Sequence, residues 1–204
     1  MIDLMQHLPI LPVVIPMMCG ALMLATRDGN RRGRLTIGFI SIMSQLVVAI
    51  TLLCMTAGIL PAPWTDGVGV YLLGDWPAPF GIVAVVDRLS TMMLVLTALL
   101  GLAAWIYSTA RWDRAGVHFH PLYQFLLMGL NGAFLTGDLF NLFVFFEVLL
   151  AASYGLALHG SGRARVRSGL HYVAVNLVAS FLLLIAMAMI YGVTGSLNMA
   201  DLAA

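Results

Sequence analysis

Asp138-Leu-Phe-Asn-Leu-Phe-Val-Phe-Phe-Glu147-Val-Leu-Leu-Ala-Ala-Ser-Tyr154 is the stretch that decides the fold. A strand of a membrane barrel would alternate apolar and polar residues. A helix on the surface of a soluble domain would carry a polar stripe. Neither pattern is present, and the later run Phe181-Leu-Leu-Leu-Ile-Ala-Met-Ala-Met-Ile190 is apolar on every face too. Both read as helices whose solvent is lipid. The whole chain agrees: of 204 residues, 61% are hydrophobic and 9% charged, and the mean hydropathy is +0.98. An ordinary soluble domain carries about 25% charged residues. Disorder is excluded by the same numbers, because it needs low hydrophobicity and high charge. A net charge of +1 gives no reason to expect a nucleic-acid partner.

A bilayer core of about 30 Å takes roughly 20 apolar residues of helix. Six such spans follow, over residues 8–26, 35–60, 82–108, 117–136, 139–159 and 169–191. The expected fold class is therefore an all-α integral membrane protein of about six transmembrane helices in one domain. The first span lacks the basic flank of a signal peptide and carries Pro9, Pro12 and Pro16, so it reads as a retained helix, bent or started late. Cys19 and Cys54 lie inside apolar runs and read as small core residues.

Loops set the orientation. Arg27, Arg31, Arg32 and Arg34 fall in the first, Arg111 and Arg114 in the third, and Arg163, Arg165 and Arg167 in the fifth. The second loop, 61–81, holds Asp66 and Asp75 with no base, and reads as irregular and packed over one face. The fourth is the turn Thr136-Gly137-Asp138. Lysine is absent, and the tenth arginine, Arg88, stands beside Asp87 at the mouth of the third span. Basic loops stay in the cytoplasm. The expectation is a cell (inner) membrane protein with both termini outside. Trp64, Trp76, Trp105 and Trp112 fall near the expected interfaces.

Glu147 is the sole glutamate. Nine residues from Asp138 place it ~13 Å along a helix, near mid-membrane. An acid there costs about 2.5–3.5 kcal/mol on insertion scales. A carboxyl able to gain and lose a proton at that depth suits a proton relay, and one that hydrogen-bonds a neighbouring helix would serve only as a pin. Tyr172, Asn176 and Ser180 recur every fourth residue and share a helix face, with His171 at the cytoplasmic end. They suit a proton path, and Asn176 and Ser180 equally suit helix–helix contact. Asn131, flanked by Gly129 and Gly132, suggests close packing and could face Glu147 across the turn. His118 and His120 point to different faces, so no metal site is expected. No nucleotide fingerprint, nucleophile elbow or haem pair is present, so no cofactor is expected.

Three motifs in order resemble one family. They are Gly74-Asp-Trp-Pro-Ala-Pro-Phe-Gly-Ile82 with Val85-Val-Asp87-Arg-Leu-Ser90, then Asp138-Leu-Phe-Asn141 through Phe146-Glu147, then Tyr172-x3-Asn176-x3-Ser180 with Tyr191-Gly-Val-Thr-Gly-Ser-Leu-Asn-Met-Ala-Asp-Leu202. They resemble the antiporter-like membrane subunits, which include Mrp-type monovalent cation/proton antiporters and the proton-pumping subunits of respiratory complex I and energy-converting hydrogenases. Within the family the chain is most similar to the Mrp type. The resemblance implies that Glu147 is the charged residue of the fifth helix, where the family pairs it with a lysine on the seventh. It also implies a fold of about fourteen helices, of which this chain would supply an N-terminal portion. The chain has no lysine and continues 57 residues past Glu147, so it is not expected to move ions by itself.

The implied function is that of a membrane subunit of a multisubunit Na+ or K+/proton antiporter, working with other subunits in the lipid bilayer. Two alternatives stay open on the sequence alone. One is a proton-pumping subunit of an NADH:quinone oxidoreductase or hydrogenase, whose redox centres would sit in partner subunits. The other is a structural assembly subunit with no ion path of its own.

Overall fold

A computed structural model describes residues 5–26, 30–64, 67–76, 81–160 and 162–203. Arg27, Asp66 and Ser161, together with Pro77, Pro79 and Phe80 of the first motif, lie outside the described residues. A 3-10 turn at Leu8–Ile10 leads into α1 (Leu11–Ala25). Then come α2 (Arg31–Thr56), β1 (Gly69–Leu72), β2 (Val83–Val86), α3 (Arg88–Thr109), α4 (Phe119–Leu135), α5 (Leu139–Ala157), α6 (Arg163–Thr194) and the short α7 (Met199–Ala203). Among the described residues, five segments are long and apolar enough to cross a membrane: Leu8–Ala25, α2, α3, α5 and α6. Helix α4 has 17 residues, which is ~25 Å of rise.

Caps account for the helix starts. The Asn30 side chain accepts the Gly33 amide at 3.0 Å to open α2. Asp87 and Ser90 form a reciprocal capping box at α3: Ser90 N donates to Asp87 Oδ1 at 2.6 Å, and Asp87 N to Ser90 Oγ at 2.9 Å. Asp138 accepts the Asn141 amide at 2.9 Å and opens α5. Helix α6 ends at Gly195, whose φ of 71° is left-handed and whose amide returns to the Tyr191 carbonyl at 2.8 Å. Arg88 donates from Nε to the Thr56 carbonyl at 3.3 Å and thereby ties α3 to the end of α2. Asp87 and Arg88 are thus a cap and a tether.

Several expectations need correction. The third span does not begin at residue 82, because Val83–Val86 is a strand. The β-branched run Val83-Ala-Val-Val86 reads equally as helix or strand, and the Asp87 cap makes the helix start after it. The second loop is accordingly not irregular throughout: β1 and β2 pair antiparallel, from Gly69 opposite Val86 to Leu72 opposite Val83. The fourth span is shorter than 117–136, since Thr136 leaves the helix to bridge Ala84. The sixth is longer than 169–191 and starts at Arg163. Cys19 and Cys54 are free thiols and half-buried.

Packing concentrates on α1–α5. One apolar cluster joins Val13, Ala49, Leu52, Val86, Leu94 and Leu135, and another joins Ile42, Trp105, Phe119, Tyr123 and Leu127. Only Gly169 and Met187 of α6 are buried, and Val193 is 88% exposed. Two sets of loops gather at opposite ends. At one end, Arg31 Nε donates to Asp113 Oδ2 at 2.8 Å, Arg34 Nη1 to the Val117 carbonyl at 2.7 Å, and the Arg165 guanidinium lies 4.6 Å from the Trp112 ring centre. The arginine-bearing first, third and fifth connections therefore meet. At the other end, Gly137 N donates to the Val83 carbonyl at 2.8 Å, Leu139 N to that of Leu197 at 2.9 Å, and Met199 N to that of Gly137 at 2.9 Å. The hairpin, the α4–α5 turn and the segment before α7 are laced together by backbone bonds.

Candidate functional site

Helix α5 presents Glu147, and glycine determines how close α4 can come to it. A side chain built at Gly129 would meet the Leu149 backbone nitrogen at 2.8 Å, and one at Gly132 would run into the Phe145 ring. The two helices are in backbone contact on that line, as small residues allow in lipid. Glu147 is half-buried, and its Oε1 is fully buried with no hydrogen-bond partner among the described residues. Seven residues on, the Tyr154 hydroxyl is likewise buried and unpartnered. Leaving a buried polar atom unpaired costs about 1–3 kcal/mol, and more for a charged one. Both atoms lie on one side of α5 and have no partner among the described residues.

Helix α6 meets α5 on the arginine side of Glu147. The Tyr172 hydroxyl lies 3.1 Å from Ser153 Oγ, and the Tyr154 and Tyr172 rings stand edge to face at 5.5 Å. Two further polar residues of α6 bond their own helix. Asn176 Nδ2 donates to the Tyr172 carbonyl at 2.8 Å, and His171 Nδ1 lies 3.0 Å from the Arg167 carbonyl. His171 is exposed, and Asn176 and Ser180 are partly exposed. Among the described residues, Tyr172 is brought to α5, while His171 and Asn176 have hydrogen bonds only within α6.

Asn131 is engaged elsewhere and does not bond Glu147. Its amide donates to the Pro12 carbonyl at 2.8 Å and to Gln45 Oε1 at 2.9 Å. The first bond has a local cause. Pro16 has no N–H, so the Pro12 carbonyl loses its normal helical donor, and in lipid such a carbonyl needs another. Ser41 Oγ donates to Gln124 Oε1 at 2.8 Å, and Gln45 Nε2 to Ser41 Oγ at 3.1 Å. Asn131, Gln45, Ser41 and Gln124 are all nearly fully buried and join α1, α2 and α4. The sequence did not single out Ser41, Gln45 or Gln124. Their signal was present, since Ser41 and Gln45 are four apart and Gln124 and Asn131 seven apart, one helix face each. His118 is exposed and His120 buried.

This architecture defines a multi-pass helical membrane protein that carries the half-buried Glu147 carboxyl on α5. Residues 136–204 match the family described as NADH:quinone oxidoreductase/Mrp antiporter, transmembrane. The chain is 56% identical over 206 residues to the D subunit of a probable K(+)/H(+) antiporter of Rhizobium meliloti, covering 100% of this chain and 37% of that protein. It is 43% identical to the D subunit of the Na(+)/H(+) antiporter of Alkalihalophilus pseudofirmus, over 98% of this chain and 39% of that one. A chain in the structure of the Mrp complex from Dietzia superposes with a TM-score of 0.84 at 36% identity, over 98% of this chain and 36% of that chain. Over nearly its whole length the chain is thus similar to antiporter-like membrane subunits, and residues 136–204 carry the family match. It spans less than two-fifths of the length of each of these relatives.

Proposed function

We propose that the chain is part of a membrane subunit of a multisubunit monovalent cation (Na+ or K+)/proton antiporter, and that Glu147 is its proton-binding group. The observation that carries the reading is the buried, unpartnered Oε1 of Glu147 on an otherwise apolar helix. An intramembrane acid without a structural partner is functional by default. The names of the two relatives support the choice of antiport, and the complex in the third supports partner subunits.

In this reading Glu147 gains a proton from one side and releases it to the other as the cation moves the opposite way. Tyr154, Tyr172 and Ser153 line the arginine side of that acid and His171 its mouth. Asn176 and Ser180 face the same path, whereas Asn131 holds the scaffold. The arginine end is cytoplasmic and both termini lie outside, because nine of ten arginines gather on the connections of one end. The membrane is the cell's inner membrane.

The test is Glu147→Gln in the complete assembly, with cation-driven proton flux read in membrane vesicles per assembled complex. Flux falls at least tenfold while assembly is kept, and Glu147→Asp retains part of it. Full flux from Glu147→Gln leaves the residue a structural pin and overturns the reading.

A further inference from the structure

A second cluster of polar groups lies at the arginine end, away from Glu147. A cleft of about 310 Å³ opens between the start of α2, the Trp112–Ala115 turn and the N-terminal end of α4. Arg31, Arg34, Asp113, Arg114, Gly116 and His120 are among the residues that line it. Three guanidiniums thus face one carboxylate among the described residues. Two are already engaged: Arg31 by Asp113, and Arg34 by the carbonyls of Thr26 and Val117. Arg114 is exposed.

Two further features point into the same space. His120 is 4% exposed, yet neither ring nitrogen has a hydrogen-bond partner among the described residues, and Asp113 Oδ1 at the same cleft has none either. Its Nε2 lies 3.4 Å from Asp113 Oδ2 without hydrogen-bond geometry. Helix α4 has no side-chain cap on its first turn, Pro121 has no N–H and the Leu122 amide bonds the His118 carbonyl, so the Phe119 and His120 amides and the positive end of a 17-residue helix are left at this end of the cleft. One buried imidazole N–H, a helix N-terminus and an exposed arginine are a donor set for an anion with several oxygens. Basic clefts between helices on the cytoplasmic side suit phosphate headgroups.

We infer that the cleft between Arg114, His120 and the N-terminus of α4 binds a phosphate group, which an anionic phospholipid of the adjoining leaflet or free phosphate can supply. The phosphate oxygens take the α4 amides and an N–H of His120, and Arg114 closes over the outer side. Occupancy ties α2, the Trp112–Ala115 turn and α4 together. The inference stands apart from the role of Glu147, because the cleft shares no residue with it.

The probes are dioctanoyl-phosphatidylglycerol and inorganic phosphate, each titrated against the full chain in detergent and read by native mass spectrometry. Two variants of exposed arginines, Arg114→Gln and Arg32→Gln, leave the packing untouched. Arg32 belongs to the same face but does not line the cleft. One equivalent of the lipid binds, and Arg114→Gln weakens it at least tenfold while Arg32→Gln changes it less than twofold. Binding of inorganic phosphate with the same variant pattern assigns the site to the soluble anion instead. Absence of saturable binding for both probes overturns the inference, and so does equal weakening by the two variants.

Discussion

Two buried polar regions of this molecule are handled in opposite ways. Between α1, α2 and α4, Asn131, Gln45 and Ser41 bond one another, Gln124 and the Pro12 carbonyl, and Gln124 Nε2 is the one side-chain group there left without a partner among the described residues. Between α5 and α6, Glu147 Oε1 and the Tyr154 hydroxyl are buried with none. The first region is closed within the chain and holds helices together. The second has no such internal bonding at Glu147 Oε1 or the Tyr154 hydroxyl among the described residues. If Glu147 is the proton-binding group proposed above, the contrast separates polar groups that build the fold from those the fold carries for use.

Changes to the closed region and its packing lower stability. Gly132→Leu has the largest effect: the new side chain enters the Phe145 ring and forces α4 from α5, costing about 3 kcal/mol, the upper part of the overpacking range. The yield of folded, monodisperse protein after detergent extraction reads it. Asn131→Ala leaves the Pro12 carbonyl and Gln45 Oε1 bare and costs about 2 kcal/mol. A double-mutant cycle sharpens this: in a Pro16→Ala background residue 16 regains an amide for Pro12, so the same substitution costs measurably less in thermal unfolding. Equal costs in both backgrounds contradict the stated cause. Asp138→Ala removes the α5 cap at about 1 kcal/mol. Tyr172→Phe loses only the Ser153 contact, about 0.6 kcal/mol.

Orientation gives an independent check on which side the Glu147 region faces. In a background lacking Cys19 and Cys54, cysteines at Ala115 and Val70, both exposed, should label from opposite sides of the membrane. Ala115 reacts from the cytoplasm, and labelling of both from one side contradicts the assignment.

Much of the fold was legible because lipid demands it. Long apolar runs and their spacing lie in local sequence and placed the helices, while the caps at Asp87 and Asp138 were recognised only in the structure. The hairpin was not legible, since Val83-Ala-Val-Val86 has no period that separates strand from helix, and its partner lies more than ten residues away. The closed polar cluster was hidden for another reason: Pro12, Gln45 and Asn131 meet only after three helices pack. Glu147 stood out by composition alone, as the one glutamate in an apolar run. Its burial without a partner is visible only in three dimensions.

Flux and assembly measured together on Glu147→Gln and Asn131→Ala test the contrast most directly. Each variant is expressed in the complete assembly, and cation-driven proton flux is divided by the amount of assembled complex. The account predicts that Glu147→Gln assembles normally and carries less than a tenth of the flux, while Asn131→Ala assembles less but keeps its flux per complex. Intact flux in Glu147→Gln, or flux per complex lost equally in Asn131→Ala, would contradict it.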